Sequence, residues 1–376
     1  MMLLHTADWQ IGKAYGSFEA AEAALLAEAR FDAVAGIAEL ARAQGADLVL
    51  VAGDVFDAQG VADRTILRLF QAMSGYRGPW VMIPGNHDAA LAESVWSRAA
   101  RLGAIAPNVH LCLRPQPLVL DVPGVAILPA PLTQRHTFAD LTAWFDAADT
   151  PAGLPRVGLA HGSVQGILAE DIDAANPIAP GRAGAARLDY LALGDWHGAR
   201  QVDERTWYSG TPETDRFRNN DSGQVLRVRI DAPGSPPLVT PLRTGRYRWL
   251  SLSRELRVAS DLDALVEELA RLERDDVVQL ELSGGIDLAG HLELERALAE
   301  AQARARSLSV ELGGLRIHPS AEDLQALRAD GYLGEVIEQL RRDQEAGDGE
   351  TARDALGLLA GVLERTRDST AEGAPR

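Results

Sequence analysis

Five short apolar runs in this chain each stop on an acid, an amide or a histidine. Met2 to Ala7 stops on Asp8, Leu48 to Gly53 on Asp54, and Trp80 to Ile83 on Pro84-Gly85-Asn86-His87-Asp88. Val157 to Ala160 stops on His161-Gly162, and Tyr190 to Leu193 on Gly194-Asp195-Trp196-His197. Unbroken aliphatic runs of this length read as strands buried on both faces. Open α/β sheets place their ligands beyond the carboxyl ends of such strands. The pattern therefore predicts one rim carrying Asp8, Gln10, Asp54, Asn86, His87, His161, Asp195 and His197. Any one of these residues alone could be a helix cap, a turn or a hydrogen-bonding histidine. Five strand ends delivering them together predict a metal site, with Asp54 where a bridging ligand would be.

The segments between the runs support layered α/β structure. Glu19 to Gln44 has a helical stripe ending at Gly45, Arg64 to Met73 reads as a second helix, and Leu91 to Leu102 as a third. From Val109 to Leu132 the pattern changes to short strands. A helix is expected around Phe138 to Asp146, a surface loop over 163–187, and an edge or half-exposed strand at Val225 to Ile230. Pro233 to Pro237 punctuates the chain. A β-α-β-α-β rhythm then predicts a small α+β domain, and 320–366 reads as mostly helical. The organisation expected is 1–245, 246–318, 319–367 and a disordered tail, 368–376.

At 376 residues the chain has room for two or three domains. Its single cysteine, Cys112, excludes an intramolecular disulfide, lies in a predicted strand as a structural thiol, and fits a reducing cytosol. No run is long enough to span a membrane and no signal peptide is evident at the N-terminus, so the expected location is cytoplasmic. Net charge is −17, which is unexpected for a protein that grips phosphate, although bound cations would offset acids gathered at a metal site. Basic charge is almost all arginine, with Lys13 the only lysine.

Hard oxygen donors with imidazole suit Mn²⁺, Mg²⁺ or Fe²⁺ better than a thiolate-rich structural zinc site. Two such cations about 3.5–4 Å apart would clamp a phosphoryl group for in-line displacement. The motifs Asp8-x-Gln10, Gly53-Asp54-x-x-Asp57, Gly85-Asn86-His87-Asp88, His161-Gly162 and Gly194-Asp195-x-His197 resemble those of the calcineurin-like metallophosphoesterases. His5 to Trp9, Gly53 to Asp57, Ala160 to Val164 and Tyr208 to Glu213 resemble the DNA-repair nuclease branch of that family, the SbcD/YhaO-type proteins. The likeness is strong over 1 to about 230.

The resemblance implies an αββα sandwich, a small α+β capping domain, and a helical C-terminal segment that docks on a coiled-coil, SMC-like ATPase. It implies two divalent cations, Mn²⁺ first and Mg²⁺ as the alternative. Asp8, Gln10, Asp54 and His197 would hold one; Asp54, Asn86, His161 and Asp195 the other. His87 would act on the scissile phosphate, with Asp57 and Asp88 behind the site orienting the ligands or His87. The family pattern has histidine where this chain has Gln10 and Asp195, which makes the site harder and more anionic. Arg216, Arg218 and Arg227 are the candidates for DNA contacts. The activity implied is cleavage of DNA ends in repair, by a chain that also forms a homodimer. A phosphodiesterase or phosphatase for nucleotides or other small molecules, and a non-catalytic DNA-end-binding subunit, remain the alternatives.

Overall fold

The computed structural model describes residues 1–167, 175–318, 332–345, 349, 351–352 and 355–359, and divides the chain into two compact units, Met1–Tyr247 and Arg248–Arg376.

The first unit begins with β1 (Met2–Thr6), helix α1 (Ala20–Gln44), β2 (Leu48–Ala52), α2 (Asp63–Ala72), β3 (Trp80–Ile83), α3 (Val95–Arg101) and β4 (Val109–Leu111). Gly45 closes α1 in the left-handed conformation, φ 64°, its N–H returning to Ala41 and Arg42. Next come β5 (Leu118–Leu120), β6 (Val125–Ala130), β7 (Arg156–His161), the short pair β8 (Ser163–Val164) and β9 (Pro177–Ile178), α4 (Arg182–Ala185) and β10 (Tyr190–Gly194). The unit closes with β11 (Arg200–Gln201), β12 (Thr206–Tyr208), β13 (Gln224–Arg229) and β14 (Leu238–Arg243).

Apart from the β8-β9 pair, these strands form two six-stranded mixed sheets, ordered β14-β13-β1-β2-β3-β4 and β11-β12-β10-β7-β6-β5. One core lies between them: Leu3, Leu48, Leu50, Val81 and Leu226 meet Val125, Ile127, Val157, Leu159 and Tyr190. The outer face of the first sheet packs on α1 to α3 through Val49, Val51, Trp80, Ile37, Leu69 and Trp96. The outer face of the second packs on Phe145, Ala183, Ala186 and Leu188. The result is the expected αββα sandwich. It explains why β2, β3 and β10 are buried at every position.

Local expectations differ in instructive places. Over 138–146 only a 3₁₀ turn forms, Ala143–Ala147; Phe145 is buried but Phe138 is 93% exposed. The 163–187 region is not loop alone, since it contains β8, β9 and α4. β13 is not an edge strand, because β14 pairs along it and itself forms the edge. Pro241 is tolerated in β14 for that reason. Cys112 is half-buried, and burial pushes its thiol up to about 12, as for a structural cysteine.

The second unit runs β15 (Arg248–Leu256), α5 (Ala259–Ala270), β16 (Asp276–Ile286), α6 (Leu288–Arg304) and β17 (Ser307–Ile317), a parallel sheet ordered β15-β16-β17. Leu250, Leu252, Val278, Leu280, Leu282, Leu308 and Val310 share its core with α5 and α6. Helix α7 (Tyr332–Glu345) follows, with Ile337 buried. The rest of the expected helical segment is described only at 349, 351–352 and 355–359, and the 368–376 tail lies outside the described residues. Among the described residues no helix is long and apolar enough to cross a membrane.

Candidate metal centre

β1 and β2 continue to track each other past their last residues. The N–H of Asp8 donates to Gly53 O at 3.0 Å, and that of Gln10 to Asp54 O at 3.0 Å. Asp8, Gln10, Asp54 and Asp195 all adopt positive φ, at 53°, 47°, 52° and 102°. Non-glycine residues avoid this region, at a cost of about 1–3 kcal/mol each, and clusters of them mark functional sites. The turn swings the four side chains inward from the strand ends. Two glycines make room: a Cβ at Gly85 would collide with Asp54 Oδ1, and one at Gly194 would collide with Ala52 O.

Asp8, Asp54 and His161 each bring a ligand atom within 4.8 Å of the others, and all three are buried. His161 Nε2 is 3.6 Å from both Asp54 Oδ1 and Asp195 Oδ1. The N–H of Asp195 donates to Asp8 at 3.1 and 3.2 Å. The Asn86 amide lies 2.9 Å from His161 Nε2 and 3.1 and 3.2 Å from the Asp54 oxygens. With its NH₂ forward it bonds these groups; with its oxygen forward it completes an oxygen-lined cation cradle. Gln10 Nε2 donates to Asp54 Oδ2 at 2.8 Å, while its Oε1 is buried without a hydrogen-bond partner.

The electrostatics ask for a cation. Burial pushes Asp8 up to about 6, with Asp54 and Asp195 adding to the shift and His197 and His161 opposing it. Burial alone would lower His161, but Asp54, Asp195 and Asp8 raise it to about 9. Crowded carboxylates sharing one imidazole, beside an orphaned amide oxygen, fit a hard divalent ion. Asp8, Asp54, Asn86, His161 and Asp195 are the residues that would hold it. Gln10 and His197 stand at the same rim.

The supporting residues take roles that differ from a simple shell. Asp57 supports His87 through its main-chain oxygen, which lies 2.7 Å from His87 Nδ1, and not through its carboxylate. His87 Nε2 is 4.0 Å from Asp54 Oδ2, and the ring is about one-third exposed. Asp88 is fully buried and clamps two loops, accepting from the N–H groups of Gly85, Val55 and Phe56 at 2.6, 2.9 and 3.1 Å. Burial first, and Asp54 second, push its carboxyl up to about 7.

An open cleft of about 340 Å³ leads to Asp54, His87, Asp195 and His197, and Arg216, Arg218 and Asn220 form its wall. Arg227 does not reach it. Its guanidinium donates to Gln44 at the end of α1, which leads into the amino end of β2.

Three residues that the motifs did not reveal support this rim. Arg30, fully buried on α1, uses all five N–H donors: on Trp9 O, Asp8 O, Glu213 O, Tyr15 Oη and Thr211 Oγ1. It thereby joins the Asp8 turn to the 211–213 loop. Asp215 lies against His197, and Lys13 pairs with Asp215 at 3.0 Å. The sequence hints at Asp215 only as the start of an arginine-rich run.

Fold and cluster together define a class: layered α/β proteins shaped to hold divalent cations at the carboxyl ends of their strands. Residues 1–178 match the family model for the calcineurin-like phosphoesterases. It is similar to the SbcD component of the nuclease SbcCD from Rhodobacter capsulatus, with 30% identity over 56% of this chain and 62% of that protein. It is also similar to the SbcD component of the nuclease SbcCD from Escherichia coli K12, with 28% identity over 56% of this chain and 60% of that protein. The chain thus matches about three-fifths of the length of these curated relatives. A crystal structure of TT1561 of Thermus thermophilus superposes with a TM-score of 0.42 at 12% identity, over 65% of this chain and 98% of that one.

Proposed function

We propose that this protein is a two-metal phosphodiesterase that cleaves DNA ends, working in the cytoplasm with a coiled-coil ATPase of the SMC type. The observation that carries the reading is the convergence of Asp8, Asp54 and His161 within 4.8 Å, with Asp54 also lining an arginine-walled cleft. Divalent cations bound there, Mn²⁺ first, would neutralise the phosphate and activate water for in-line attack. Asp8, Asp54, Asn86, His161 and Asp195 hold the cations, with Gln10 and His197 completing the first position. His87, turned by the Asp57 carbonyl so that Nε2 faces the cleft, protonates the leaving oxygen. Arg216 and Arg218 meet backbone phosphate. The two nuclease components to which the chain is similar support DNA as substrate, and SbcCD as a complex supports a partner subunit.

The net charge of −17 favours a second reading, a phosphodiesterase for small anionic substrates. The test is Mn²⁺-dependent cleavage of end-labelled duplex DNA by the purified chain, with Asp54→Ala and a chromogenic phosphodiester run beside it. Cleavage of DNA that disappears in Asp54→Ala is the expected result. Turnover of the small ester, with DNA left intact even when the ATPase is added, would reject the nuclease reading.

A further inference from the structure

The segment that follows β12 grips His197 twice. The N–H of Thr211 donates to the main-chain oxygen of His197 at 3.0 Å. Asp215, whose side chain is 1% exposed, then places its two carboxylate oxygens 3.1 and 3.2 Å from His197 Nδ1. Three cations surround that carboxylate. Lys13 Nζ reaches Oδ2 at 3.0 Å, Arg216 Nε reaches Oδ1 at 3.0 Å, and buried Arg30 lies nearby, fixed by its five bonds. The ion pairs with Lys13 and Arg216 keep Asp215 a carboxylate. A buried carboxylate can only accept.

Arg216 introduces a competing arrangement. Its Nη2 is 2.7 Å from His197 Nδ1 and 3.2 Å from Nε2. If Nδ1 accepted from Arg216, the ring proton would sit on Nε2 and the imidazole could not offer a lone pair to the cleft. If Nδ1–H donates to Asp215, the lone pair sits on Nε2, which lines the cleft and can accept from Arg216 until a cation takes it. The two tautomers decide whether His197 is a ligand or a bystander.

We infer that Asp215 is a positioning residue that commits the Nδ1 proton of His197 to itself and the Nε2 lone pair to the cleft, with Lys13 neutralising the carboxylate. The charge-assisted bond to a desolvated carboxylate prevails, because Arg216 already has the same carboxylate as a partner and is 40% exposed to water. Carboxylates behind metal-binding histidines fix ring orientation in this way, and their loss typically costs about 10–100-fold in metal affinity. The inference rests on the proposed metal site for its consequence, but the tautomer itself can be read without metal.

The experiment uses the full chain, metal-free, with ¹⁵N-labelled histidine, and long-range ¹H–¹⁵N correlation at pH 8. The His197 signals are assigned by their absence in His197→Gln. The wild type is expected to show the proton on Nδ1. Asp215→Asn is expected to lose that preference and to bind Mn²⁺ roughly 10–100-fold more weakly by titration of free Mn²⁺. Arg216→Gln is expected to keep the wild-type tautomer. A wild-type His197 protonated on Nε2 overturns the inference without any variant. So does a folded Asp215→Asn with an unchanged tautomer and unchanged Mn²⁺ affinity, or an Arg216→Gln that moves the proton. A wild type that binds no Mn²⁺ would defeat the metal-dependent function, and the tautomer measurement would still decide this point.

Discussion

Nδ1 of His161, at the end of β7 in the second sheet, lies 2.8 Å from the main-chain oxygen of Ala52, at the end of β2 in the first. A carbonyl only accepts, so Nδ1 carries a hydrogen, and Nε2 is the nitrogen that faces Asp54 and Asp195 and would give up its proton to a cation. The bond also ties the rims of the two sheets at one point. The ring is therefore held by both layers of the sandwich, and its aim is as rigid as their packing.

That rigidity has a cost in the metal-free protein, where the acids repel one another. Asp8 is buried and pushed up to about 6, and its carboxylate accepts from the N–H of Asp195. Asp8→Asn keeps an acceptor for that N–H and removes a charge. At pH 8 without metal, its Tm should rise by about 2–4 °C, the shift expected for about 1 kcal/mol in a unit of this size. Mn²⁺ should raise the wild-type Tm by mass action and leave that of Asp8→Asn nearly unmoved. Calorimetry with and without Mn²⁺ checks both, and an equal Mn²⁺ shift in the two proteins would remove Asp8 from the ligand set.

Gly85 is required by space and not by φ. A Cβ there would strike the Asp54 carboxylate and main-chain nitrogen and sit 2.8 Å from His161 Cε1. None of the three can retreat, since His161 is held by Ala52 and Asp54 by Gln10 and the N–H of His87. Gly85→Ala should cost about 1–3 kcal/mol, as overpacking does, and abolish Mn²⁺ binding. Chemical denaturation and Mn²⁺ titration of the same sample test this together.

His5 should make the fold acid-sensitive. Burial pushes its pKa from 6.5 down to about 3, and its nitrogens lie against Tyr190 Oη at 2.9 Å and Leu193 O at 3.1 Å. Below 6.5 the unfolded chain takes up a proton that the folded state refuses. The contribution is thus complete above 6.5 and lost as pH falls toward 3, at about 1.4 kcal/mol per pH unit. Between about pH 7 and pH 5 the wild type should lose about 2 kcal/mol that His5→Gln retains. Parallel stability profiles for the two proteins would show that His5 is not the cause.

His87 should separate binding from turnover. Its ring is fixed by the Asp57 carbonyl and stands 4.0 Å from Asp54 Oδ2, outside the ligand cluster. His87→Asn should bind Mn²⁺ as the wild type does and lose about 10²–10⁴-fold in phosphodiester turnover, the usual worth of a proton donor. A matching loss of Mn²⁺ affinity would make His87 a ligand instead.

The strand-end residues are legible in the sequence because a sheet buried on both faces has almost no polar residues except at its ends. An acid or histidine that interrupts such a run has few places to be but the rim. The support behind the rim is not legible. Arg30 sits on a helix whose sequence shows only alanine-rich amphipathy, and its five acceptors come from Asp8 O, Trp9 O, Tyr15, Thr211 and Glu213, up to 183 residues away. Main-chain acceptors leave no trace in side-chain pattern. The same reason hides the use Asp57 makes of its carbonyl. Val225 to Ile230 reads as an edge or half-exposed strand because Arg227 and Arg229 alternate with apolar residues, and the pattern does not show that β14 pairs along it. Local sequence shows where a strand can form, while its neighbour is chosen by the whole sheet.

Three arginines that look alike in the sequence should behave differently on DNA. Arg218 lines the cleft beside Asn220 and His87. Arg227 lies on β13 with its guanidinium on Gln44 at 3.0 Å, near the amino end of β2 and away from the rim at its carboxyl end. Each phosphate contact releases close to one counterion, so losing one lowers the slope of log K against log salt by about 1. Arg218→Ala should show that drop, and Arg227→Ala should keep both the wild-type slope and affinity. Arg216→Ala is a mixed case, because its side chain also neutralises Asp215 beside His197. It should lower the slope as Arg218→Ala does and change Mn²⁺ affinity as well. Fluorescence anisotropy with labelled duplex ends across a salt series, catalysis blocked by Ca²⁺, reads all three. Equal slopes for Arg218→Ala and Arg227→Ala would mean that DNA does not enter through this cleft.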